Sequence, residues 1–361
     1  MKRTGEANGS SPAYLQLYRQ MREDIVNGVY PRNTRLPSKR LLADEAGVST
    51  VTVEHAYALL AEEGYIEPRE RSGYFVIFRP ADGFAGAAAP AARPRPAPHT
   101  AEEKTAFPFP LLAKVMRRVI SDYGEAVFTR APGSGRPELR EAIGQYLARS
   151  RGIRVEAEQI VIGSGSEHLY GRIVETLGRE RKYAIEAPSY KKIAQVYTAA
   201  DVQFDMLPLG EDGIESSALW ATDADILHIT PYRSFPSGVT ASASKRHEYL
   251  RWAAAGERYL IEDDFESEFS VSKKPEETLF SHTNRDNVIY MNTFSRTVSP
   301  GMRVGYMVLP RHLLPVFAER SGFYSCTVPT FEQLLLAALL AGGDFERHIN
   351  RVRRKKRRGE I

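Results

Sequence analysis

The stretch IVIGSGSEHLYGRIVETL (residues 160–177) decides the fold of most of the chain. It begins with an apolar run that is typical of a buried strand, turns through glycine and serine, and continues with the spacing of a helix. Similar strand-like runs, each ending in a polar or glycine-rich turn, are YAIEAPSY, ILHITP, YLIEDD and VIYMNTFS. Strands that alternate with helices predict a mostly parallel α/β sheet, whose ligand site lies beyond the carboxyl ends of the strands.

Composition separates three zones along the chain. Residues 79–106 are rich in alanine and proline and have almost no large apolar side chains, so they cannot bury enough surface to repay their ordering. We therefore predict a linker at 79–106, between an N-terminal domain at 1–78 and an α/β domain at 107–361.

The N-terminal zone has the pattern of a mainly α winged helix-turn-helix. Apolar residues recur at helical spacing from Tyr14 onward. Ser38 is the predicted N-cap of KRLLADEAG, which breaks at Gly47, and Ser49 is the predicted N-cap of TVTVEHAYALLAEEG. YIEPRERSGYFVI predicts two short strands around a polar turn. The second helix of such a pair fits the DNA major groove, although the same pattern also suits a small helical docking module.

The outward face of this second helix follows from its periodicity. At about 100° per residue, Val53 and Tyr57 share the buried face, while Val51, His55 and Ala58 point away from it. His55 is therefore a candidate DNA contact.

Whole-chain properties limit the class of protein. The 361 residues are 42% hydrophobic and 26% charged, as in soluble globular proteins. The single cysteine, Cys326, excludes an internal disulfide and fits a reducing cytoplasm. The first residues lack the apolar core of a secretory signal, and no apolar run is long enough to cross a bilayer. We expect a cytoplasmic protein without a membrane partner.

The net charge of +4 is concentrated in one segment. Residues 345–361 hold eight Lys/Arg against two Glu, a net of +6, so the remaining residues carry −2. A basic run of this kind suits a nucleic-acid tail or a solvated helix face. The global charge is therefore weak evidence for a nucleic-acid partner.

The N-terminal motifs resemble those of one regulator family. LPSKRLLADEAGVSTVTVEHAYALLAEEGYIEPRERSGYFV is similar nearly end to end to the GntR-type DNA-binding domain. The resemblance implies double-stranded DNA as a partner. It places six residues at or near the DNA: Arg35, Arg40, Ser49, Thr50, Thr52 and Gly73. The family often has a strong hydrogen-bond donor just after the serine, whereas this chain has Thr50 and Val51, so the preferred bases stay open.

From FPFPLLAKVMRRVISDYG to FERHINRVRR the chain resembles fold-type I aminotransferases, as carried by the MocR subgroup of GntR regulators. The resemblance implies a site for pyridoxal 5′-phosphate, with its phosphate at Gly165, Ser166 and Glu167, where a helix begins. Taken alone, a glycine turn between strand and helix is common. IEAPSYKKI matches the family's E-D-P-x-Y, so Tyr190 would stack on the pyridine ring or would simply pack beneath a loop.

Two further motifs complete the implied cofactor site. YLIEDDFESEF matches the acidic motif whose aspartate, here Asp263, keeps the pyridine nitrogen protonated. Adjacent acids at a strand end also suit magnesium, but no further ligand cluster accompanies them and we predict no metal. NTFSRTVSPGMRVGY places Thr293, Ser295 and Arg303 around the phosphate and puts Arg296 at the position of the Schiff-base lysine.

The arginine at position 296 indicates whether the aminotransferase-like domain is an enzyme or a binding domain. Covalent attachment of the aldehyde requires a neutral primary amine, which lysine reaches through a lowered pKa. A guanidinium stays protonated at physiological pH and is a poor nucleophile, but it binds anions in a bidentate manner. We therefore predict no catalytic residue, and only non-covalent contact from Arg296.

The C-terminal part departs from the family as well. HINRVRRKKRRGEI resembles only the start of the long helix that leads into the aminotransferase small domain, so we expect a C-terminally truncated domain without the substrate-carboxylate arginine. Such a truncation would expose the apolar segment LLLAALLAG (residues 334–342) and favour association.

Together these features predict a DNA-binding transcriptional regulator of the MocR type. Its aminotransferase-like domain would serve for dimerisation and for sensing pyridoxal phosphate, a related anion or an amino-acid-like effector without a covalent bond, or it would be vestigial. The alternative is a pyridoxal-phosphate-dependent aminotransferase fused to a DNA-binding domain.

Overall fold

The computed structural model describes residues 12–70, 72–79, 107–271, 277–283 and 286–359. The chain divides between residues 97 and 98 into two compact units. Of the predicted linker, residues 80–106 lie outside the described residues.

The first unit consists of three helices followed by a two-stranded antiparallel sheet. In chain order these are α1 (Ala13–Val26), α2 (Lys39–Ala46), α3 (Thr50–Glu62), β1 (Ile66–Arg69) and β2 (Gly73–Val76). The core lies between the helices and the inner side of the sheet, and includes Met21, Val53, Tyr57, Leu60 and Val76. The predicted winged helix-turn-helix is confirmed.

Local capping explains where α2 and α3 begin and end. The Ser38 hydroxyl accepts a hydrogen bond from the Leu41 amide, and the Ser49 hydroxyl accepts one from the Thr52 amide. Each bond satisfies an amide that has no partner inside the helix. Gly47 ends α2 in the left-handed conformation, with φ of 63°, which a residue without Cβ adopts at little cost. The tight turn between the two helices follows from Gly47 and Ser49, which end α2 and begin α3.

The second unit is built on one mixed, mostly parallel sheet. Its described strands are β3 (Ile160–Gly163), β4 (Tyr183–Ala187), β5 (Phe204–Gly210), β6 (Gly213–Ile214), β7 (Ile226–Ile229), β8 (Tyr259–Asp263), β9 (Val288–Thr293) and β10 (Gly305–Val308). They lie in the order β3-β10-β9-β8-β7-β4-β5-β6. The pairs among β5, β4, β7, β8 and β9 are parallel, whereas β10 and β6 run antiparallel to their neighbours.

Helices cover both faces of this sheet. They are α4 (Phe109–Tyr123), α5 (Pro137–Arg151), α6 (Ser166–Leu177), α7 (Lys191–Ala199), α8 (Ser216–Ala221), α9 (Ala243–Ala254), α10 (Leu279–His282), α11 (Leu313–Ser321), α12 (Thr330–Ala341) and α13 (Asp344–Arg357). None of the helices in the described part of the chain is long and apolar enough to span a membrane. The predicted α/β class is confirmed. The pattern did not identify β5, β6 or β10.

The expectation of an exposed apolar segment at residues 334–342 is wrong. α12 is buried along most of its length, and Leu334, Leu336 and Leu339 have no exposed surface. They belong to the same core cluster as Leu139 and Ile143 of α5. The segment is apolar all round because packing elements surround it on several sides.

We predict that Leu334→Ala lowers the free energy of unfolding of the second unit by about 2–5 kcal/mol, because it leaves a cavity in a closed core. The matched control is Ile120→Ala on the exposed side of α4, which should change stability by less than about 0.5 kcal/mol. Both tryptophans of the chain, Trp220 and Trp252, lie in this unit, so fluorescence-detected denaturation reports its unfolding. Equal effects of the two substitutions would contradict the buried position of α12.

Candidate nucleic-acid interface and ligand pocket

The first turn of α3 brings together the serine and threonines predicted at the DNA. Ser49 and Thr50 are exposed, and Thr52 is half-buried. The Ser49 and Thr52 hydroxyls lie 2.9 Å apart and hydrogen-bond to each other. This contact joins the hydrogen bond from the Thr52 amide to the Ser49 hydroxyl at the N-terminal end of α3, and a helix N-terminus suits a phosphate.

Arg35 and Gly73 lie together beside the two-stranded sheet. Arg35 forms an isolated antiparallel bridge to Phe75, and its Nε would lie 3.2 Å from a Cβ added at Gly73. The absence of a side chain at Gly73 therefore allows the guanidinium to rest against the strand. Arg40 is exposed on α2.

His55 and Glu54 have partners that the sequence pattern did not indicate. His55 is exposed and packs edge-on against the ring of Tyr14, with the ring centroids 5.8 Å apart. Glu54 accepts a hydrogen bond from Lys39 at 2.5 Å, which links α3 to α2. The ion pair with Lys39 holds the pKa of the Glu54 carboxyl below its usual value.

In the second unit, the carboxyl ends of β4, β8 and β9 open into a cavity of about 270 Å³. Its lining contains all but one of the residues predicted to bind the cofactor. The described lining residues are Ser166, Glu167, Tyr170, Tyr190, Ile193, Thr230, Phe235, Asp263, Phe265, Thr293, Ser295, Arg296 and Arg303. Gly165, the remaining predicted residue, is the N-cap of α6 next to this lining.

One end of the cavity is suited to an anion. Gly165 precedes α6 with φ of 86°, and a Cβ there would lie 3.1 Å from Nη2 of Arg303. Glycine therefore lets the guanidinium approach the N-terminus of the helix, where free amides favour negative charge. Glu167 bridges Lys192 and Arg303, with 2.9 Å to Arg303. The hydrogen bond from Lys192, assisted by Arg303, lowers the pKa of the Glu167 carboxyl.

The other end of the cavity contains a buried carboxylate. Asp263 ends β8 and accepts a 2.6 Å hydrogen bond from the Tyr170 hydroxyl of α6. Nε2 of His228 lies 3.7 Å from the same carboxylate oxygen, and Nδ1 of His228 lies 2.7 Å from the Tyr197 hydroxyl. The motif comparison missed Tyr170 and His228. A signal existed for His228, since it is the one polar residue in the apolar run ILHI of β7.

Arg296 lies at the cavity and has a carboxylate partner. Its Nη2 is 2.7 Å from Oε1 of Glu266, and about half of its side chain is exposed. Glu266 comes three residues after Asp263, so the pair spans the loops that follow β8 and β9. None of the described residues that line the cavity is a lysine.

The cavity fits the non-covalent part of a pyridoxal phosphate site. Gly165 leaves room for Arg303 at the start of α6, and this arrangement suits a phosphate. The buried Asp263 suits a protonated ring nitrogen. Tyr190 and Phe235 form an edge-to-face pair at 6.3 Å and provide aromatic surface for a ring. The described lining provides no amine for a covalent bond. Within the described residues, no group of three or more His, Cys, Asp or Glu side chains could hold a metal ion.

Comparison with protein families gives two matches. Residues 13–76 match the bacterial regulatory proteins of the gntR family, and residues 103–360 match the aminotransferases of class I and II. The two matches follow one another along the chain.

Curated relatives share both parts. The HTH-type transcriptional regulator YdeL of Bacillus subtilis is 33% identical, with 96% of this chain and 78% of the relative covered. The probable rhizopine catabolism regulatory protein MocR of Rhizobium meliloti is 28% identical, with 95% and 74% covered. The HTH-type pyridoxine biosynthesis transcriptional regulator PdxR of Corynebacterium glutamicum is 28% identical, with 94% and 75% covered.

Solved structures match the second unit. The kynurenine aminotransferase of Pyrococcus horikoshii superposes with a TM-score of 0.63 at 25% identity, over 70% of this chain. The match spans 65% of that enzyme, just under two thirds of its length. The α-aminoadipate aminotransferase LysN of Thermus thermophilus gives a TM-score of 0.62 at 26% identity, over 69% of this chain and 64% of that one.

A buried acid of β4, Glu186, makes the stability of the second unit depend on pH. Glu186 of β4 accepts a 2.5 Å hydrogen bond from Ser234, and burial raises the pKa of its carboxyl from 4.5 to about 8. Between these pH values the folded chain keeps a proton that the unfolded chain has lost, so the free energy of unfolding falls as pH rises. Glu186→Gln cannot ionise, and we expect it to make this decline shallower between about pH 5 and pH 8.

The measurement is the tryptophan-detected unfolding free energy at several pH values. Glu211→Gln, at an exposed glutamate of the same unit, is the control and should leave the slope unchanged. A slope that is the same in Glu186→Gln as in the unsubstituted chain would contradict the prediction.

Proposed function

The chain belongs to the gntR family of bacterial regulatory proteins that carry an aminotransferase class I and II domain, and we propose that it regulates transcription by binding DNA through α3 and the β1–β2 wing. The observation that carries the proposal is the exposed first turn of α3, preceded by the Ser49 cap, in a unit that also exposes Arg40 on α2 and Arg35 beside the two-stranded sheet. A helix of this kind inserts its N-terminal residues into the major groove, while the flanking arginines neutralise phosphates.

The pocket of the second unit is proposed to bind pyridoxal phosphate or a related anion reversibly. When bound, that group supplies a protonated pyridine ring able to act as an electron sink. In this chain, Arg303 and the start of α6 would hold the phosphate, and Asp263 would pair with the ring nitrogen. The relation to PdxR, named as a regulator of pyridoxine biosynthesis, supports a ligand of this class.

Arg296 favours ligand sensing over catalysis as the function of this pocket. A guanidinium keeps its proton at any physiological pH, so it neither forms the covalent link nor accepts a proton from a substrate carbon. Its ion pair with Glu266 supplies a contact that an entering carboxylate or phosphate could exchange. The pocket therefore combines the recognition groups of an aminotransferase with a residue that binds anions.

We also propose that the protein acts as a cytoplasmic homodimer. A dimer carries two winged helices, which match two half-sites on DNA. A ligand that changes the conformation of the second unit in each protomer would change the distance between the two winged helices. The experiment that tests the function is selection of bound duplexes from random DNA, with and without pyridoxal phosphate. Failure to enrich any sequence would overturn the proposal.

Arg40→Ala should weaken DNA binding and reduce the slope of log K against log salt by about one, because one phosphate contact and its counterion release are lost. The matched control is Arg19→Ala, at an exposed arginine of α1 outside the proposed interface. The measurement is a salt titration of affinity for the selected duplex. An unchanged slope in Arg40→Ala would remove Arg40 from the interface.

Arg296→Lys should convert reversible binding of pyridoxal phosphate into borohydride-trapped covalent attachment, because it restores a primary amine beside the remaining recognition groups. The measurement is the mass of the peptide that contains residue 296. Arg311→Lys, at an exposed arginine of the same unit, controls for non-specific lysine modification. Trapping at equal levels on both variants would show that the pocket does not direct the ligand to position 296.

A further inference from the structure

Val51 is an apolar residue in the first turn of α3, and in a recognition helix this turn contacts the base edges. We propose that Val51 packs against the C5-methyl group of a thymine in the major groove and so makes that base pair a determinant of operator choice. This inference rests on the proposed DNA binding and adds the identity of a base that the chain recognises.

Val51 occupies the outward side of the first turn. The buried face of α3 is formed by Val53, Ala56, Tyr57 and Leu60. Val51 lies on the opposite face and exposes 58% of its surface. It is the second residue of the helix, and the first residues of a recognition helix lie deepest in the groove.

Three polar side chains near Val51, those of Ser49, Thr52 and Glu54, are engaged within the chain. The Ser49 hydroxyl caps the helix and contacts the Thr52 hydroxyl at 2.9 Å. Glu54 is bound to Lys39 at 2.5 Å. These contacts hold the turn rigid and favour backbone positioning over base reading by Ser49 and Thr52, which leaves Val51 as a rigid apolar projection.

The chemistry of the groove identifies the partner of such a projection. The major-groove edges of adenine, guanine and cytosine present hydrogen-bond donors and acceptors, whereas thymine presents a methyl group beside its O4. A valine placed against a donor or acceptor would leave that group without a partner, which disfavours the other bases. Val51 therefore favours thymine for two reasons: it contacts the methyl group, and at any other base it would leave a hydrogen-bonding group without a partner.

The test removes the methyl group from the DNA and the isopropyl group from the protein separately. The probe is a duplex selected from random DNA by the full chain, in which each thymine is replaced in turn by deoxyuridine. The protein variants are Val51→Ser and, as a matched control, Val29→Ser, at a valine that is 63% exposed in the turn after α1. Affinity is measured for every combination, which forms a double-mutant cycle.

We expect one deoxyuridine position in each half-site to weaken binding of the unsubstituted chain and of Val29→Ser about fourfold, the effect of losing one buried methyl contact. Val51→Ser should bind the thymine and deoxyuridine duplexes equally. The proposal is overturned if no position is sensitive, or if Val51→Ser keeps the same fourfold difference. If no duplex is enriched in the selection, DNA binding itself fails, and that result is distinct from enrichment without methyl sensitivity.

Discussion

The parallel pairing of β4, β7, β8 and β9 is the constraint on which the second unit depends. Parallel neighbours need crossover connections, so the strands end at the same edge and their following loops meet there. Tyr190, Asp263 and Arg296 follow or end different strands, yet they line one cavity for this reason. A ligand pocket at this edge is a consequence of the topology before any side chain is considered.

Among the described residues, the side chains at that edge can bind a ligand but include no amine for a covalent reaction. Asp263 is buried and accepts a hydrogen bond from Tyr170, and Arg303 approaches the start of α6, so the cavity presents groups that suit the proposed phosphate-bearing pyridine. Arg296 is paired with Glu266, and its guanidinium is not the primary amine that a covalent link requires. Among its described lining residues, the cavity on this scaffold therefore contains anion-binding groups and no lysine, which supports the reversible binding proposed above.

In the first unit, local contacts hold the short helix α3 at the protein surface. Its helix ends are capped locally at Ser38 and Ser49, and the pair formed by Lys39 and Glu54 links α2 to α3. These contacts use polar groups for positioning. The outward residues, including Val51, remain available for a partner. Rigidity lowers the entropy lost on association and lets individual side chains discriminate between bases.

The sequence alone determined the features that depend on near neighbours. The caps at Ser38 and Ser49, the turn at Gly47 and the buried strands follow from residues a few positions apart, because capping bonds and side-chain periodicity are local. Resemblance to families added the roles proposed for Asp263 and Arg296. Only the tertiary structure decided the bond from Tyr170 to Asp263, the pairing of Arg296 with Glu266 and the burial of most of residues 334–340. Those contacts join separate elements, and their existence depends on how helices pack on the sheet, which no local pattern specifies.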